Sequence, residues 1–401
     1  MATAASMAGQ YHLYPGQSLA IHGRRPVLQP GRLRQLLAGQ TPAQAVSTLG
    51  NVFTLCAHAH QRSARQALAA AQRSLTDHGS CATSFNDPPA LLLLETARDH
   101  LRSIALDWPQ RLGLAQAPAA QLAWLKGCPL PVVAPTPVSD EALAWRLLAQ
   151  LNDWLANRVL QQASDAWLAQ HRAPDALAAW CHTHARDLLP ARCLDDGLQH
   201  STALAQSAPA LSLLDQNPAR QQDRLLALVR QMQHEPDFCQ YPTWHGQSAE
   251  NGPWTRLRHA TTPTTSATLP AVPPVTPPLA PVATQSTLEQ RLASRWFELL
   301  ELSQTTPESL AQGPAPLRSG VLVTGPGQAL AWCEMARGLL LHWAHCAADG
   351  SVIDYKVIAP TEWNFHPQGT LGQALAVLSS TDSDTARRLA AVFDPCVVCT
   401  V

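Results

Sequence analysis

The 401-residue sequence predicts an α+β fold that is mainly α-helical, with a small antiparallel sheet near its C-terminus. Apolar residues recur at helical spacing through most of residues 20–260. Further along, residues 320–323 and 351–358 alternate like strands, and the second segment follows an Asp-Gly pair that is typical of a hairpin turn. Together these patterns predict helices first and a sheet late in the chain.

The predicted helical part begins with short helices and turns over residues 26–49, which glycines and prolines interrupt. Residues 61–76 are rich in Ala, Arg and Gln and should form a longer helix, with Cys56 near its first turn. Apolar spacing predicts further helices at residues 88–108, 140–170, 174–189 and 220–232. We therefore expect this part of the chain to be almost entirely helical.

Residues 261–287 differ from the rest of the chain because they hold seven prolines among Thr, Ala and Val. Such a segment favours polyproline II and predicts a linker. Beyond it, the patterns predict helices at 288–302, 369–379 and 381–392, and a strand at 341–346 that pairs with 351–358. We expect one domain over residues 1–401, in which a helical part (20–260) and a C-terminal part (288–401) flank the linker and the chain ends meet.

The composition excludes several classes of partner. Charged residues make up 14% of the chain, apolar residues 46%, and the formal net charge is −1. No basic surface that would attract nucleic acid or an anionic membrane is therefore expected. The apolar runs are too short to span a bilayer, and residues 1–10 show no signal-peptide pattern, so we expect a cytoplasmic protein. Most of the ten cysteines should be reduced in that compartment.

Three cysteines at opposite ends of the chain are the candidate metal ligands. Cys56 precedes the helix predicted at 61–76, whose N-terminus is expected to lower the pKa of the thiol. Cys396 and Cys399 form a Cys-x-x-Cys pair and can both face one ion. His60 follows Cys56 by one helical turn and is predicted to hydrogen-bond a sulfur rather than to bind the ion. The alternative is that these thiols are simply buried, because a structural zinc site ordinarily needs four ligands.

Four segments, in order along the chain, carry a resemblance to a known family. Residues 37–60 include LAGQTP and FTLCAHAH, similar to G-R-x-P followed by R-x-C-G-x-C-x-x-x-H. The others are EMARGLLLHW, APTEWN and DPCVVC, which resemble E-A-P-R-G-x-L-x-H-W, V-P-T-T-W-N and D-P-C-x-x-C-x-x-H. These motifs belong to the large subunit of nickel–iron hydrogenases. The chain is identified as a member of a non-catalytic group related to that subunit, the HupK/HoxV hydrogenase expression/formation proteins. The resemblance covers about residues 25–110 and 318–401.

The resemblance implies a metal site that lacks one thiolate. In the enzymes, four cysteines hold nickel and iron, two of them binding nickel only and two bridging both metals. Cys56 and Cys399 match the bridging positions and Cys396 matches one nickel-only position, whereas Phe53 stands at the other. The implied cargo is therefore an iron that carries two cyanides and one carbonyl, Fe(CN)2(CO), held transiently; nickel is not expected.

The resemblance also implies which residues surround the iron unit. Arg337 matches an arginine that lies over the diatomic ligands, where its guanidinium donates to a cyanide nitrogen. Pro360 and Thr361 match a turn that donates to the other cyanide. With His60, these are the predicted cofactor-binding residues, and no catalytic residue is predicted. The alternative for Arg337 is an ordinary surface ion pair.

These features predict a maturation scaffold rather than an enzyme. The protein would receive Fe(CN)2(CO) from a maturation assembly complex, hold it on Cys56 and Cys399, and deliver it to the hydrogenase large subunit. One open alternative is a cofactor-free adaptor that mimics the large subunit to bind maturation chaperones. A second is a divergent hydrogenase active with three thiolates. Phe53 argues against that enzyme, and so does Arg34, which falls near the position of the enzymes' proton-relay glutamate.

Overall fold

The computed structural model describes residues 9–76, 88–133, 138–200, 208–260 and 287–401. The linker predicted at 261–287 lies outside these ranges, apart from Thr287. Within them, no helix combines the length and the apolar character needed to cross a membrane. The predicted fold class is confirmed, because helices predominate and an antiparallel sheet lies in the C-terminal part.

The helices follow the predicted order and several carry side-chain caps. Asp140, Asn217 and Thr306 each accept a hydrogen bond from a backbone N–H in the first turn of the helix that follows. The helices are α1 (Arg32–Leu37), α2 (Pro42–Val52), α3 (Ala57–Thr76), α4 (Pro89–Arg102), α5 (Trp108–Arg111), α6 (Pro118–Gln121), α7 (Glu141–Trp154), α8 (Ser164–His171), α9 (Pro174–His184), α10 (Leu189–Gln199), α11 (Pro218–His234), α12 (Pro253–Ala260), α13 (Leu288–Ser303), α14 (Pro307–Gln312), α15 (Pro360–Asn364), α16 (Thr370–Ala376) and α17 (Ser383–Phe393). Short 3-10 turns occur at Pro26–Leu28, Thr54–Cys56 and Ala123–Leu125, and π-helical turns at Ser103–Asp107 and Leu155–Leu160.

In the described ranges, seven strands form two sheets. They are β1 (Gln10–Leu13), β2 (Ile21–Arg24), β3 (Ser319–Gly325), β4 (Gln328–Met335), β5 (Gly338–Cys346), β6 (Val352–Ile358) and β7 (Val398–Thr400). The larger sheet is an antiparallel meander with the order β3-β4-β5-β6. Its β5–β6 hairpin turns at Asp349-Gly350, where Gly350 adopts a positive φ of 83°, as the sequence predicted.

Strand β4 was not predicted, because both faces of the large sheet are buried. Alternate β4 residues belong to two different apolar clusters, with Ala331 and Cys333 on one face and Leu330 and Trp332 on the other. The first face packs against α3, and the second cluster includes apolar residues of α11. A strand that is apolar on both sides shows no alternation, so its sequence cannot be told from a buried helix by periodicity.

The smaller sheet was also missed. It has the order β2-β1-β7, with β1 and β2 antiparallel and β1 and β7 parallel. Tyr11 of β1 is paired with Cys399 of β7, and Nδ1 of His12 lies 2.7 Å from the hydroxyl of Thr400. Strands of three or four residues are too short to show a clear alternation. The sheet does join the two ends of the described chain, as we expected.

A buried carboxylate ties three helices together. Glu298 of α13 accepts two hydrogen bonds of 2.7 Å from the guanidinium of Arg256 in α12. Its Oε2 also lies 2.6 Å from Nε2 of His100 in α4. Burial by itself raises the pKa of Glu298, but Arg256 and His100 outweigh that effect and lower it to about 2.

Replacing this carboxylate should destabilise the fold in a pH-dependent way. Glu298→Gln should lower the free energy of unfolding by about 3 kcal/mol at pH 7, because it removes the hydrogen-bonded counter-charge of the buried Arg256. The folded-state pKa of Glu298 lies below its ordinary value of 4.5, so its stabilisation is present above that pH and is lost as pH falls toward about 2. Urea denaturation at pH 7 and at pH 3 measures both effects.

The matched control is Glu301→Gln on the same helix. Glu301 pairs with Arg172, and that arginine is 42% exposed, so this substitution should cost less than about 1 kcal/mol. Equal losses for the two variants, or a Glu298→Gln loss that does not shrink at pH 3, would contradict the role assigned to Glu298.

Candidate metal centre

Cys56 lies in the 3-10 turn that leads into α3, and its side chain is 4% exposed. The first backbone N–H groups of α3 do not donate to the Cys56 thiol. Instead, His58 and Ala59 donate their backbone N–H groups to the Glu95 carboxylate at 2.8 and 2.9 Å. Burial, followed by the charge of Cys396, raises the pKa of Cys56 well above its ordinary value. The prediction that the helix N-terminus lowers this pKa was therefore wrong.

The C-terminal cysteine pair follows a buried anchor. Helix α17 ends at Phe393 and is capped by Asp394, which adopts the left-handed conformation with φ 42°. Its carboxylate lies 3.2 Å from both Arg295 and Arg337 and 3.7 Å from Arg111. Burial raises the pKa of Asp394, but these three guanidinium groups hold it well below its usual range. This anchor determines where the chain turns into Pro395 and Cys396.

The two cysteines of the pair occupy different surroundings. The Cys396 sulfur lies 3.3 Å from the hydroxyl of Thr361, in the first turn of α15. Cys399 lies in β7 beside Tyr11, and it packs half-buried against the apolar core. Burial raises the pKa of the Cys399 thiol to about 11, an effect that Arg111 partly offsets.

Cys56 and Cys396 share an electrostatic neighbourhood. The charge of Cys396 contributes to the raised pKa of Cys56. Burial lowers the pKa of the Arg25 and Arg337 guanidinium groups, but nearby acidic groups, among them Cys396 and Cys56, outweigh that effect and raise the pKa of both. In the described ranges, no three or more Cys, His, Asp or Glu side chains are close enough together to hold an ion.

Arg337 is not a surface residue. It is 2% exposed, its Nη1 lies 3.2 Å from Asp99, and its Nε donates to the backbone carbonyl of Asp394 at 3.1 Å. The alternative of an ordinary surface ion pair is therefore wrong. Pro360 and Thr361 begin α15 and are both buried, and Thr361 contacts Cys396 as described above. Thr361 thus contacts Cys396, and Arg337 is bonded to Asp394, two residues before that cysteine.

His60 has a different partner from the one predicted. Its Nδ1 lies 2.9 Å from Nε2 of His342, and Nδ1 of His342 lies 2.7 Å from the hydroxyl of Tyr355. Burial lowers the pKa of both histidines, so this chain of groups is uncharged at neutral pH. Within the described residues, no hydrogen bond joins His60 to a sulfur, which corrects that prediction.

Phe53 fills space beside Cys56. Its ring stacks on His60 with centroids 3.8 Å apart and planes 4° apart, and the side chain is 2% exposed. The guanidinium carbon of Arg25 lies 5.0 Å from the centre of the same ring. Arg34, by contrast, is an exposed residue of α1. An aromatic ring therefore occupies the position that the resemblance assigns to a nickel-binding thiolate.

Sequence reasoning missed Arg25, Glu95 and Asp99, which all contribute charge or hydrogen bonds near the cysteines. Arg25 follows Arg24 directly, and no local signal separates the buried arginine from the exposed one. Glu95 and Asp99 are one helical turn apart on α4 and so share a face, but that spacing is equally common on solvated helices. Only the packing of α4 against α3 shows that these two carboxylates are buried rather than solvated.

The comparisons with known proteins bear on the family of the chain. A family model described as nickel-dependent hydrogenase matches residues 215–401. The chain is 35% identical to hydrogenase expression/formation protein HoxV of Cupriavidus necator, over 100% of this chain and 97% of that protein. It is 28% identical to hydrogenase expression/formation protein HupK of Rhizobium leguminosarum bv. viciae, over 95% and 91% of the two chains.

Solved structures that resemble the chain include two hydrogenases. An NAD+-reducing [NiFe]-hydrogenase in the H2-reduced state shares 16% identity, over 94% of this chain and 93% of that chain, with a TM-score of 0.45. The Ni-Fe-Se hydrogenase of D. vulgaris Hildenborough, in its as-isolated oxidized state, shares 14% identity, over 94% and 92%, with a TM-score of 0.48. The full-length similarity to HoxV decides the family. The chain belongs to the HoxV/HupK family of hydrogenase expression/formation proteins.

Proposed function

We propose that the protein is a scaffold in nickel–iron hydrogenase maturation. In this proposal it receives an iron that carries two cyanides and one carbonyl, holds that unit on Cys56 and Cys399, and delivers it to the hydrogenase large subunit. Its partners are then the maturation assembly complex and that subunit. The names of its relatives, which describe hydrogenase expression and formation, support the general role.

One observation carries the proposal: a buried thiol, Cys56, shares its surroundings with Cys396 and two buried arginines, Arg25 and Arg337. Thiolates suit a soft iron unit, and guanidinium groups suit its anionic cyanide ligands. An iron that already carries three diatomic ligands needs few ligands from the protein. The absence of a cluster of three or more ligands from the described residues is compatible with that need.

Phe53 bears on the choice between a scaffold and an enzyme. Because its ring stands where a nickel-only thiolate would be needed, the site favours iron without nickel. We propose that this protein therefore binds the iron unit less tightly than the finished enzyme does. The iron unit is then transferred from this protein to the large subunit. A divergent hydrogenase with three thiolates would have to bind nickel at this position. The cofactor-free adaptor differs from the scaffold in metal content alone.

The test is infrared spectroscopy combined with iron and nickel analysis, on protein purified without oxygen from a host that carries the maturation machinery. We expect cyanide and carbonyl stretching bands, iron bound to the protein, and little nickel. Nickel in amounts equal to iron would favour the enzyme. Protein that carries neither metal nor bands, although the host matures its hydrogenase, would favour the adaptor and exclude the scaffold.

A substitution at Phe53 tests the exclusion of nickel. We expect Phe53→Cys to raise the nickel content of the purified protein severalfold, because it adds a thiol three residues before Cys56, at the position that the resemblance assigns to a nickel-binding thiolate. Phe53→Ala is the matched control, since it opens the same space without a sulfur. Elemental analysis of both variants after exposure to nickel measures the effect. Equal nickel in the two variants would mean that Phe53 does not decide metal choice.

A further inference from the structure

The structure contains a buried arginine whose donors are not used. Arg25 lies between β2 and the 3-10 turn Pro26–Leu28, and it is 4% exposed. Among the residues that the structure describes, its Nε and Nη1 are buried without a hydrogen-bond partner. Leaving charged donors unpaired inside a protein is costly, so such a group calls for an explanation.

Arg25 is bracketed by the two segments that carry the cysteines. On one side its guanidinium carbon lies 5.0 Å from the ring centre of Phe53, three residues before Cys56. On the other side its Nη1 lies 3.6 Å from Oε1 of Glu362, the residue after Thr361, which itself contacts Cys396. The guanidinium therefore lies at the place where these segments approach each other.

Glu362 pairs with Arg25 by charge but does not accept a hydrogen bond from it. The 3.6 Å separation from Glu362 is an ion pair but is too long for a hydrogen bond. The same carboxylate receives a long contact of 3.5 Å from the Tyr11 hydroxyl, and within the described ranges its Oε2 has no hydrogen-bond partner. Glu362 therefore balances the charge of Arg25 without occupying its donors.

Arg337 is arranged differently. Its Nε and Nη1 already donate to Asp394 and Asp99, so these two groups stabilise the fold. The corresponding two nitrogens of Arg25 remain free. Of these two arginines near the cysteines, Arg25 is the one whose Nε and Nη1 can donate to a bound anion without breaking a bond within the protein.

We propose that Arg25 is a specificity-determining donor of the cargo site, and that its free N–H groups bind a cyanide nitrogen of the iron unit held by the cysteines. This inference rests on the proposed function. Two thiolates and two cyanides carry more negative charge than a ferrous ion offsets, so the loaded site is anionic. The guanidinium lies over the Phe53 ring, and its charge-assisted hydrogen bonds are stronger than neutral ones.

The experiment compares Arg25→Met with wild-type protein, both purified without oxygen from a host with the maturation machinery. We expect Arg25→Met to lose iron to a chelator about tenfold faster or more, which corresponds to the loss of one charge-assisted hydrogen bond. We also expect its cyanide stretching bands to shift, because hydrogen bonding to the cyanide nitrogen is lost. Arg24→Met, which changes the exposed neighbour, should match the wild type in both measurements.

Arg25→Lys keeps the proposal testable if Arg25→Met does not fold. Lysine retains the charge opposite Glu362 but not the forked donors, so its cyanide bands should also shift from those of the wild type. Folded variants with wild-type bands and wild-type iron retention would overturn the role of Arg25 while leaving the scaffold intact. Wild-type protein without cyanide bands would instead overturn the scaffold, and the role of Arg25 with it.

Discussion

Replacing Cys56 with alanine is expected to abolish iron loading and the cyanide and carbonyl bands. The thiol is buried in the turn that leads into α3, and the side chain of His60 cannot substitute for it, because His60 is bonded to His342. Cys399→Ala should have the same effect, since the resemblance assigns this residue as the second iron ligand. Iron content and infrared spectra of the purified variants measure both losses.

Two further alanine variants sharpen this test. Cys193→Ala is the matched control, because Cys193 is equally buried but lies in α10, and it should leave iron content unchanged. Cys396→Ala should retain the cyanide and carbonyl bands, although at lower intensity. The opposite result, with loss in Cys396→Ala and full loading in Cys399→Ala, would mean that the iron is held by the pair Cys56 and Cys396, which share an electrostatic neighbourhood.

The second large effect is expected at Asp394, where alanine should lower the free energy of unfolding by about 3–5 kcal/mol. This carboxylate faces Arg111, Arg295 and Arg337, and it also accepts a hydrogen bond of 3.0 Å from Ser103. Removing it leaves three positive groups close together, two of them almost fully buried. Urea denaturation monitored by circular dichroism gives the change.

Asp384→Ala is the control for Asp394. It removes an aspartate from the same helix, but that carboxylate is 71% exposed and pairs only with Arg387 three residues later. We expect a loss below about 0.5 kcal/mol. A similar small loss at Asp394 would show that the three arginines find other partners, and the account of this anchor would fail. Iron loading should also fall in Asp394→Ala, because Asp394 directs the chain into Cys396.

Local signals account for what was predicted correctly. Helices such as α3 and the β5–β6 hairpin are encoded by spacing and turn residues within a few positions of one another. The same holds for the presence of Phe53 instead of a cysteine, which is visible by inspection. The family resemblance depended on four short motifs, and their order needed no knowledge of contacts. Strand β4 failed because a strand buried on both faces has no distinctive period.

The sequence by itself thus determined the helices, the hairpin, the family and the candidate ligands. Only the tertiary structure decided how burial and charge act on them. It joined β1 to β7 at opposite ends of the chain, assigned the first amides of α3 to Glu95 rather than to Cys56, and separated Arg25 from Arg24. The physical reason is that periodicity is a local property, whereas desolvation and charge pairing depend on residues brought together from distant segments.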